Sequence, residues 1–243
     1  GGAVYSPALM DLTIMSDAAT MFLTGPRVVR AVTGEDVDAR TLGGPEVHGA
    51  RTGSAHLLAA DDDEALALAG RVLSYLPSAA WLPAPVADPA PPAHDDPGAA
   101  VPRDPRAPYD VRDVIAGVVD GGSFLELQDR WARNLVVGFG RMDGRSVGVI
   151  ANQPAWLAGV LDATASEKGA RFVRMCDAFG LPLVVLVDVP GFMPGTEQEH
   201  GAVIRRGAKL LHAFTSATVP RVSLVLRKAY GGAYIVMNSR SIG

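Results

Sequence analysis

Hydrophobic positions in the second half of the chain follow two spacings, one helical and one typical of strands. Apolar residues recur at helical intervals over 111–118 and predict a helix there. Short apolar runs over 124–127, 135–139 and 146–150 predict strands. The dipeptide Asp143-Gly144 separates the last two runs and is a strong signal for a tight hairpin turn.

The alternation of spacings continues towards the C-terminus. Helices are predicted over 166–179 and 198–214, and a strand is predicted over 221–226. The Leu/Val run over 183–187 is typical of a strand buried on both faces, and the rigid loop 188–195 follows it. This order predicts a layered α/β architecture in which ligands bind at the carboxyl edge of the strands.

Shorter elements are predicted in the first half. They are a helix ending at Met10, helices over 26–32 and 65–76, a strand pair or hairpin built from 12–15 and 20–23, and a loop over 43–53. Asp61 to Glu64 could bind a cation, but they precede a helical pattern, and carboxylates at a helix start cap it and complement its dipole. We favour the capping role.

The stretch 77–108 is dominated by Pro, Ala, Asp and Gly and has almost no apolar periodicity. Such a composition is typical of an extended, semi-rigid tether that cannot form a packed core. The sequence therefore predicts a first domain over 1–76, a linker over 77–108 and a second domain over 109–243.

Composition narrows the class of protein. The chain has 243 residues, of which 48% are hydrophobic, so it can bury a substantial core. Its net charge of −4 does not favour binding to nucleic acid or to a membrane surface, and no apolar run approaches the ~18 residues of a membrane span. The single cysteine, Cys176, forms no intrachain disulfide and favours a reducing cytoplasm.

Two similar glycine pairs are candidates for chemistry. Gly231-Gly232-Ala233 follows a predicted strand and echoes Gly1-Gly2-Ala3 at the start of the chain. Without bulky side chains, a ligand can approach the main chain, and amides at a helix start point outward unpaired. Each pair could therefore hold a developing negative oxygen, although an isolated pair is more often only a turn.

Other chemistries find little support. No Ser or Cys elbow is present with a base, and neither a nucleotide-binding loop nor a dinucleotide glycine pattern occurs. His48 and His56 belong to no closed zinc set, so structural roles are favoured. Asp188 could be a base, but a structural role in its turn is favoured. The natural candidate for a mechanism is therefore stabilisation of a thioester enolate by backbone hydrogen-bond donors.

Dense motifs throughout the chain resemble the carboxyltransferase (β) subunit of biotin-dependent acyl-CoA carboxylases, especially the propionyl-CoA carboxylase type. The matching runs are 151–154, 168–174, 188–192, 204–211, 217–220 and 227–234 in the second half, and 1–8, 21–26 and 32–35 in the first. The resemblance covers everything except the linker.

The resemblance implies a duplicated crotonase-like α/β spiral, with two halves joined by the Pro-rich linker and both partly truncated. It implies transfer of CO₂ from carboxybiotin to the α-carbon of a short-chain acyl-CoA, which passes through two transient oxyanions. By this match, Gly232 and Ala233 serve biotin, whereas Gly1, Gly2 and Ala3 serve the thioester. No protein side chain need act as the base, and no metal is expected.

Further residues are assigned by the same resemblance. The residues expected to bind substrate or biotin are Tyr5, Pro190, Gly191, Phe192, Tyr230, Gly231, Tyr234 and Ile235. Ile235 occupies a position that is often Asp in propionyl-type enzymes, which leaves the acyl length open between acetyl, propionyl and longer chains. The possible CoA contacts are Arg130, Arg133, Arg141 and Arg145, with an ordinary solvated basic face as the alternative.

The expected partners also follow from the resemblance. No Met-Lys-Met biotin attachment site is present, so biotin is expected on a separate carrier that belongs to a biotin carboxylase or carrier subunit. The whole protein is expected to form a homo-hexamer, and the present chain to be an inactive piece of it. A decarboxylase of the same fold and a non-catalytic ring subunit remain the alternatives.

Overall fold

A computed structural model describes residues 2–79 and 81–242, and the chain forms two compact units, Gly1–Leu73 and Ser74–Gly243. The first unit contains a 3₁₀ turn Gly2–Val4, α1 Tyr5–Leu9, β1 Ile14–Ser16, α2 Pro26–Thr33, α3 Ala39–Gly43, a π-helical turn Val47–Thr52, β2 Leu57–Ala59 and α4 Asp62–Leu73. None of the helices in the described residues has the length and apolar composition needed to cross a bilayer.

The helix boundaries of the first unit follow local signals. Pro26 begins α2, and Gly34 ends it in the left-handed conformation with φ of 76°. At α4, the Asp61 carboxylate accepts the Glu64 amide at 2.8 Å, while the Glu64 carboxylate accepts the Ala60 amide at 2.6 Å. The Asp61 bond is that of an N-cap, and Glu64 bonds the residue before Asp61, in a variant of the capping box. These bonds confirm the capping role predicted for the acidic cluster.

The hairpin predicted from 12–15 and 20–23 is wrong. β1 instead pairs in parallel with β2, with Ile14 opposite Leu57. The segment 20–23 is held elsewhere, because the Met21 amide donates to the carbonyl oxygen of Gly43 at 2.8 Å and the Met21 carbonyl oxygen accepts from His48 Nε2 at 2.7 Å. The predicted loop 43–53 therefore contains a π-helical turn whose histidine has a structural role.

His56 also has a structural role. Its Nδ1 accepts the main-chain amide of Thr13 at 3.1 Å, and its own amide donates to the Thr13 carbonyl oxygen at 2.8 Å. These two bonds join the chain before β1 to the chain before β2, as was predicted for a polar structural residue.

The second unit holds most of the regular structure. Its elements are a 3₁₀ turn Pro97–Ala100, α5 Val111–Ala116, β3 Leu125–Leu127, β4 Leu135–Met142, β5 Arg145–Asn152, a 3₁₀ turn Leu157–Gly159, α6 Ala163–Ala178, β6 Leu183–Val189, α7 Thr196–His200, α8 Val203–Ser216, β7 Arg221–Ala229 and α9 Gly231–Val236.

The five strands form one mixed sheet in the order β3-β4-β5-β6-β7. β3, β4 and β5 are antiparallel neighbours, whereas β5, β6 and β7 run parallel. The hairpin between β4 and β5 turns at Asp143 and Gly144, whose φ angles of 52° and 74° are those of a type I′ turn. The Asp-Gly prediction is confirmed.

Helices cover both faces of this sheet. Val111, Val114 and Ile115 of α5 pack with Val149 of β5 and Leu186 of β6 in one buried cluster. On the other face, α6 packs against β4, β5 and α8. Residues on both faces of β5 and β6 are buried, which explains why the sequences of these strands are nearly continuous apolar runs.

The described residues of 77–108 are irregular apart from one 3₁₀ turn, but they belong to the second unit, which begins at Ser74, and lie against the rest of it. The Ala87 amide donates to the Gly144 carbonyl oxygen at 3.0 Å, and the Ala93 amide donates to the Ala116 carbonyl oxygen at 2.9 Å. A proline-rich stretch builds no core of its own, yet its remaining amides find acceptors on a neighbouring surface. The predicted tether is therefore packed against the rest of the second unit, and we call the stretch 77–108 the strap.

The single helix predicted over 198–214 is two helices in the structure. α7 ends at His200 with Gly201 as its C-cap, and Ala202 then adopts a left-handed conformation with φ of 63° before α8 begins at Val203. Helical hydrophobic spacing continues across this break, so the sequence pattern did not reveal it.

Candidate active site

The carboxyl ends of the parallel strands meet at one edge of the sheet of the second unit. β5 ends at Asn152, β6 at Val189 and β7 at Ala229. The main-chain amide of Tyr230 donates to the carbonyl oxygen of Val189 at 3.1 Å, which joins the end of β7 to the end of β6. We call this side of the sheet the carboxyl edge.

The second glycine pair lies at this edge, at the junction between β7 and α9, as the sequence predicted. Gly231 turns the chain with φ of 59°, a conformation that disfavours residues with a Cβ. The first main-chain bond of α9 runs from the Tyr234 amide to the Tyr230 carbonyl oxygen at 3.3 Å. The amides of Gly231, Gly232 and Ala233 precede that bond and are therefore not used by the helix.

A cavity of about 410 Å³ lies beside Gly232. Its lining is mainly apolar and comprises Phe192, Glu199, Val203, Ile204, Gly207, Ala208, Leu211, Gly232, Ile235 and Val236. The space next to Gly232 is open, because a Cβ added there meets no atom within 4 Å. A ligand can therefore reach the main chain at this position.

A second cavity, of about 430 Å³, adjoins the other side of α9. Tyr234 and Ile235 line it together with Ser239, Arg240 and Ser241. Ile235 borders both cavities, so its side chain is 44% exposed although it belongs to a short helix. Tyr230 is also exposed, and it is the N-cap of α9.

The loop after β6 is fixed to the rest of the edge. The Gly191 carbonyl oxygen accepts the Leu161 amide at 3.0 Å, and the Met193 amide donates to the Leu161 carbonyl oxygen at 2.7 Å. These bonds flank a bridge between Leu161 and Phe192. Pro190 and Gly191 are half-buried. The predicted binding loop 188–195 is therefore held in place by contacts with the neighbouring chain.

Asp188 lies beneath this loop and is completely buried. Its carboxylate accepts bonds from the Tyr109 hydroxyl at 2.9 Å, from Arg227 Nε at 3.1 Å and from the Lys228 amide at 3.0 Å. Burial, followed by the charge of Asp188, raises the pKa of the Tyr109 phenol. The observed bonds support the structural role that was favoured for Asp188, although they cross between strands rather than closing its own turn.

The four arginines predicted to contact CoA do not form one cluster. Arg130 and Arg133 precede β4 at the carboxyl edge, whereas Arg141 and Arg145 lie at the hairpin tip. Eight-residue strands separate the two pairs by roughly 20 Å. The strand predicted over 135–139 lies between the two pairs, so grouping the four arginines in one site followed from the resemblance and not from the predicted elements.

The contacts of the arginines differ as well. Arg141 donates to the carbonyl oxygens of Ser74, Pro85 and Gly144 at 2.7 to 3.2 Å, which ties the strap to the hairpin. The guanidinium of Arg133 instead stacks over the exposed ring of Trp156 at 3.9 Å from its centroid. The observed contacts of Arg141 are structural, while Arg133 presents its charge at the carboxyl edge.

The first glycine pair belongs to the first unit. Gly1 lies outside the described residues, and Gly2 and Ala3 are in the exposed 3₁₀ turn that leads into α1. A Cβ added at Gly2 meets no atom within 4 Å, and Tyr5 is 57% exposed. Ala3 on the turn and Tyr5 at the start of α1 are therefore both accessible.

Sequence reasoning missed a buried lysine near the carboxyl edge. Lys168 Nζ donates to the carbonyl oxygens of Gln128 and Trp131, both at 2.9 Å, and of Ala132 at 3.4 Å. Burial lowers the pKa of Lys168 to about 7, which the charge of Glu126 opposes. Its ammonium holds together the loop that carries Arg130 and Arg133, and the sequence offered no signal for this beyond a charged residue at an inward helix position.

Sequence reasoning also missed part of the cavity wall. Ile204, Ala208 and Leu211 are apolar residues at helical spacing within the predicted helix 198–214, but Ile204 is 78% exposed and all three line the cavity. Among the described residues, no group of His, Cys, Asp and Glu side chains is arranged to hold a metal ion.

The layered sheet with a glycine-bearing carboxyl edge places the chain among crotonase-like α/β folds. Its fold matches a structure of transcarboxylase 12S with hydrolysed methylmalonyl-CoA bound, at a TM-score of 0.97 and 51% identity, over 100% of this chain and 49% of that one. The pattern of the carboxyl transferase domain family matches residues 1–243. The chain belongs to this family.

Curated relatives agree with that assignment. The chain is 53% identical to the propionyl-CoA carboxylase beta chain of Saccharopolyspora erythraea, covering 100% of this chain and 47% of the relative. It is 52% identical to the methylmalonyl-CoA carboxyltransferase 12S subunit of Propionibacterium freudenreichii subsp. shermanii, with the same coverage of 100% and 47%. The chain therefore spans about half the length of the curated relatives it matches.

Proposed function

We propose that the protein is the carboxyltransferase component of a biotin-dependent acyl-CoA carboxylase that accepts short-chain acyl-CoA, such as propionyl- or acetyl-CoA. The observation that carries the proposal is the glycine pair at the start of α9, whose amides the helix does not use and of which Gly232 lines an apolar cavity at the carboxyl edge. Family membership and the printed activities of the relatives support it.

The cavity suits the cofactor that this activity requires. Biotin has an apolar ring system with a urea oxygen, and the cavity combines an apolar wall with the accessible main chain of Gly232. Biotin, when bound, would supply the carboxyl group that is transferred. Pro190, Gly191, Phe192, Tyr230, Tyr234 and Ile235 would surround it, and Ile235 would also border the acyl chain of the substrate.

The contribution of the chain is electrostatic. The amides of Gly232 and Ala233 would donate hydrogen bonds to an oxygen that becomes negative on the biotin side, and those of Gly1, Gly2 and Ala3 would do the same for the enolate oxygen of the thioester. Backbone donors of this kind are already oriented before the reaction and cost no reorganisation. The apolar walls would exclude water, which strengthens each donor.

Binding of CoA is proposed for Arg130 and Arg133. Both lie at the carboxyl edge, and Lys168 organises their loop. Arg141 and Arg145 lie at the opposite end of the β4–β5 hairpin and are less suited to the same ligand. Phosphate groups favour arginine because its planar guanidinium donates two bonds at once.

The proposed partners are a biotin carrier, a biotin carboxylase subunit and further copies of the same chain. A transcarboxylase 12S structure is described as a hexamer assembly, which supports a ring for the present protein. The relatives from Mycobacterium are named biotin-dependent carboxylase beta subunits, which supports a separate biotin-bearing partner. A cytoplasmic location is part of the proposal and is supported by the single buried cysteine.

A substrate panel tests the proposal directly. The whole protein is combined with its biotin carrier, biotin carboxylase, ATP and labelled bicarbonate, and fixation of label is measured with acetyl-, propionyl- and butyryl-CoA. Biotin-dependent fixation supports the proposal. If the protein releases CO₂ from a malonyl-type thioester but fixes no label, it is a decarboxylase. If it assembles into an active carboxylase ring but catalyses neither reaction itself, it is a non-catalytic subunit.

A further inference from the structure

The buried carboxylate of Asp188 joins three separate parts of the second unit. It lies on β6 with no exposed surface, and it accepts from Tyr109 at the end of the strap and from Arg227 and Lys228 on β7. The Asp188 amide donates to Asn152 Oδ1 on β5 at 3.2 Å. The residue is thus bonded to both neighbouring strands and to Tyr109, which directly follows the strap.

Asp188 stands opposite an irregularity in β7. Val187 pairs with Val225 and Val189 pairs with Ala229, so β7 advances four residues where β6 advances two. The additional residues of this bulge include Arg227 and Lys228, which are the ones that bind Asp188. A bulge redirects the end of a strand, and its shape must be fixed by contacts other than the regular ladder.

The redirected end of β7 is the segment that leads to the glycine pair. Only Ala229 and Tyr230 lie between Lys228 and Gly231. On β6, Asp188 is followed by Val189 and then by the loop that contributes Phe192 to the cavity. One carboxylate therefore anchors two of the chain segments that contribute to the cavity wall beside Gly232, while α8 provides most of the rest.

The position of Asp188 does not suit direct proton transfer. Arg227 covers it with a side chain that is 10% exposed, and Lys228 with one that is 13% exposed. Arg227 Nη1 also donates to the carbonyl oxygens of Asp104 at 2.7 Å and Ala107 at 2.9 Å. The carboxylate is enclosed by these cations and by Tyr109.

We infer that Asp188 is a positioning residue, which sets the orientation of the Gly231–Ala233 amides by fixing the β7 bulge. The inference rests on the proposed carboxyltransferase function. It predicts that loosening the network lowers the rate of the transfer step, because the amides would no longer point at the developing charge. Binding of acyl-CoA should change little.

Tyr109→Phe is the mildest test, since it removes one hydrogen bond to Asp188 and keeps the shape of the ring. Tyr75→Phe is the matched control, because Tyr75 is also buried and its hydroxyl donates to the Ser123 carbonyl oxygen, at the opposite edge of the sheet. Both are made in the whole protein. For Tyr109→Phe we expect kcat to fall about tenfold with an unchanged KM for acyl-CoA, and for the control we expect no change in either.

Two further readouts separate positioning from general destabilisation. Hydrogen exchange in the peptide 228–236 should become faster in Tyr109→Phe and not in Tyr75→Phe. Asp188→Asn should lower kcat further, without shifting the pH dependence of the rate as removal of a base would. Equal kcat in the two tyrosine variants, unchanged exchange in 228–236, or a shifted pH profile would overturn the inference. An inactive wild-type protein would instead overturn the proposed function.

Discussion

The ring of Phe192 lies so close to Gly207 that a methyl group at Gly207 would stand 3.1 Å from a ring carbon. This relationship packs the loop after β6 directly on α8, and both contribute to the cavity beside Gly232. The cavity is therefore bounded by two elements in close contact rather than by a loose loop. The following predictions depend on that geometry and on the surrounding packing.

Gly232→Val should abolish most of the activity and leave the fold intact. The added side chain enters open space, since a Cβ there meets no atom within 4 Å, so the free energy of unfolding should change little. It would occupy the approach to the amides, and loss of one such donor costs on the order of 10²–10³ in rate. Carboxyl transfer and thermal unfolding are measured on the same sample.

Gly70→Val provides a matched control for that variant. Gly70 also has open space around its position, but it lies on α4 in the first unit. A branched residue there should alter helix stability slightly and leave kcat within about twofold. Full activity in Gly232→Val would contradict the backbone mechanism.

Ile235→Asp should restrict the range of acyl chains. Ile235 borders an apolar cavity, and a carboxylate there removes apolar contact and requires solvation. Each methylene is worth about 1 kcal/mol in such a pocket, and butyryl has two more than acetyl, so kcat/KM for butyryl-CoA should fall about 30-fold more than for acetyl-CoA. Ile235→Leu keeps the volume and should preserve the wild-type ratio; a uniform decrease for all chain lengths would exclude Ile235 from the acyl site.

Arg133→Ala should weaken acyl-CoA binding more than Arg145→Ala does. Only Arg133 of this pair lies at the carboxyl edge, where its guanidinium stacks on Trp156. Loss of one charged contact to a phosphate corresponds to about a tenfold increase in KM. The measurement is KM for acyl-CoA at low and high salt, and equal effects of the two variants would argue against CoA binding at this edge.

The stability of the protein should depend on pH through Lys168. The folded state releases the proton of Lys168 above about pH 7, whereas the unfolded chain retains it up to the ordinary value of 10.5. Unfolding therefore binds a proton between these values, and the folded state gains stability as the pH rises above 7. Relative to Lys168→Met, wild type should gain up to about 1.4 kcal/mol per pH unit.

Denaturant unfolding between pH 6 and pH 9 checks this dependence. Glu126, Arg112 and Asp129 act on Lys168 and are present in both proteins. The comparison with Lys168→Met therefore removes their own contributions to the pH dependence of the free energy of unfolding. A difference between the two proteins that stays constant over this range would show that Lys168 keeps its proton in the folded state.

Gly144→Ala should destabilise the second unit by about 3 kcal/mol. Gly144 has φ of 74°, and an added Cβ would overlap the carbonyl oxygen of Ala87 in the strap. Gly180→Ala shares the left-handed backbone, with φ of 67°, but has no atom within 4 Å, so it should cost only about 1 kcal/mol. Equal losses in denaturant unfolding would show that the strap is not held at Gly144.

Local structure was predictable wherever neighbouring residues decide it. Asp143-Gly144 specified the β4–β5 turn because few residues other than glycine tolerate its dihedral angles, and Gly34 specified the end of α2 for the same reason. The Leu/Val run of β6 indicated a strand buried on both faces. The position of Gly231-Gly232 between β7 and α9 was also evident from the sequence.

Tertiary structure decided which distant segments meet. The sequence by itself determined the α/β class, the individual turns and the glycine pairs, since each depends on a few adjacent residues. It did not determine that β1 pairs with β2, or that Asp188 binds Tyr109 and the β7 bulge. Those relationships depend on strand register and on packing across long sequence separations, which hydrophobic spacing does not encode.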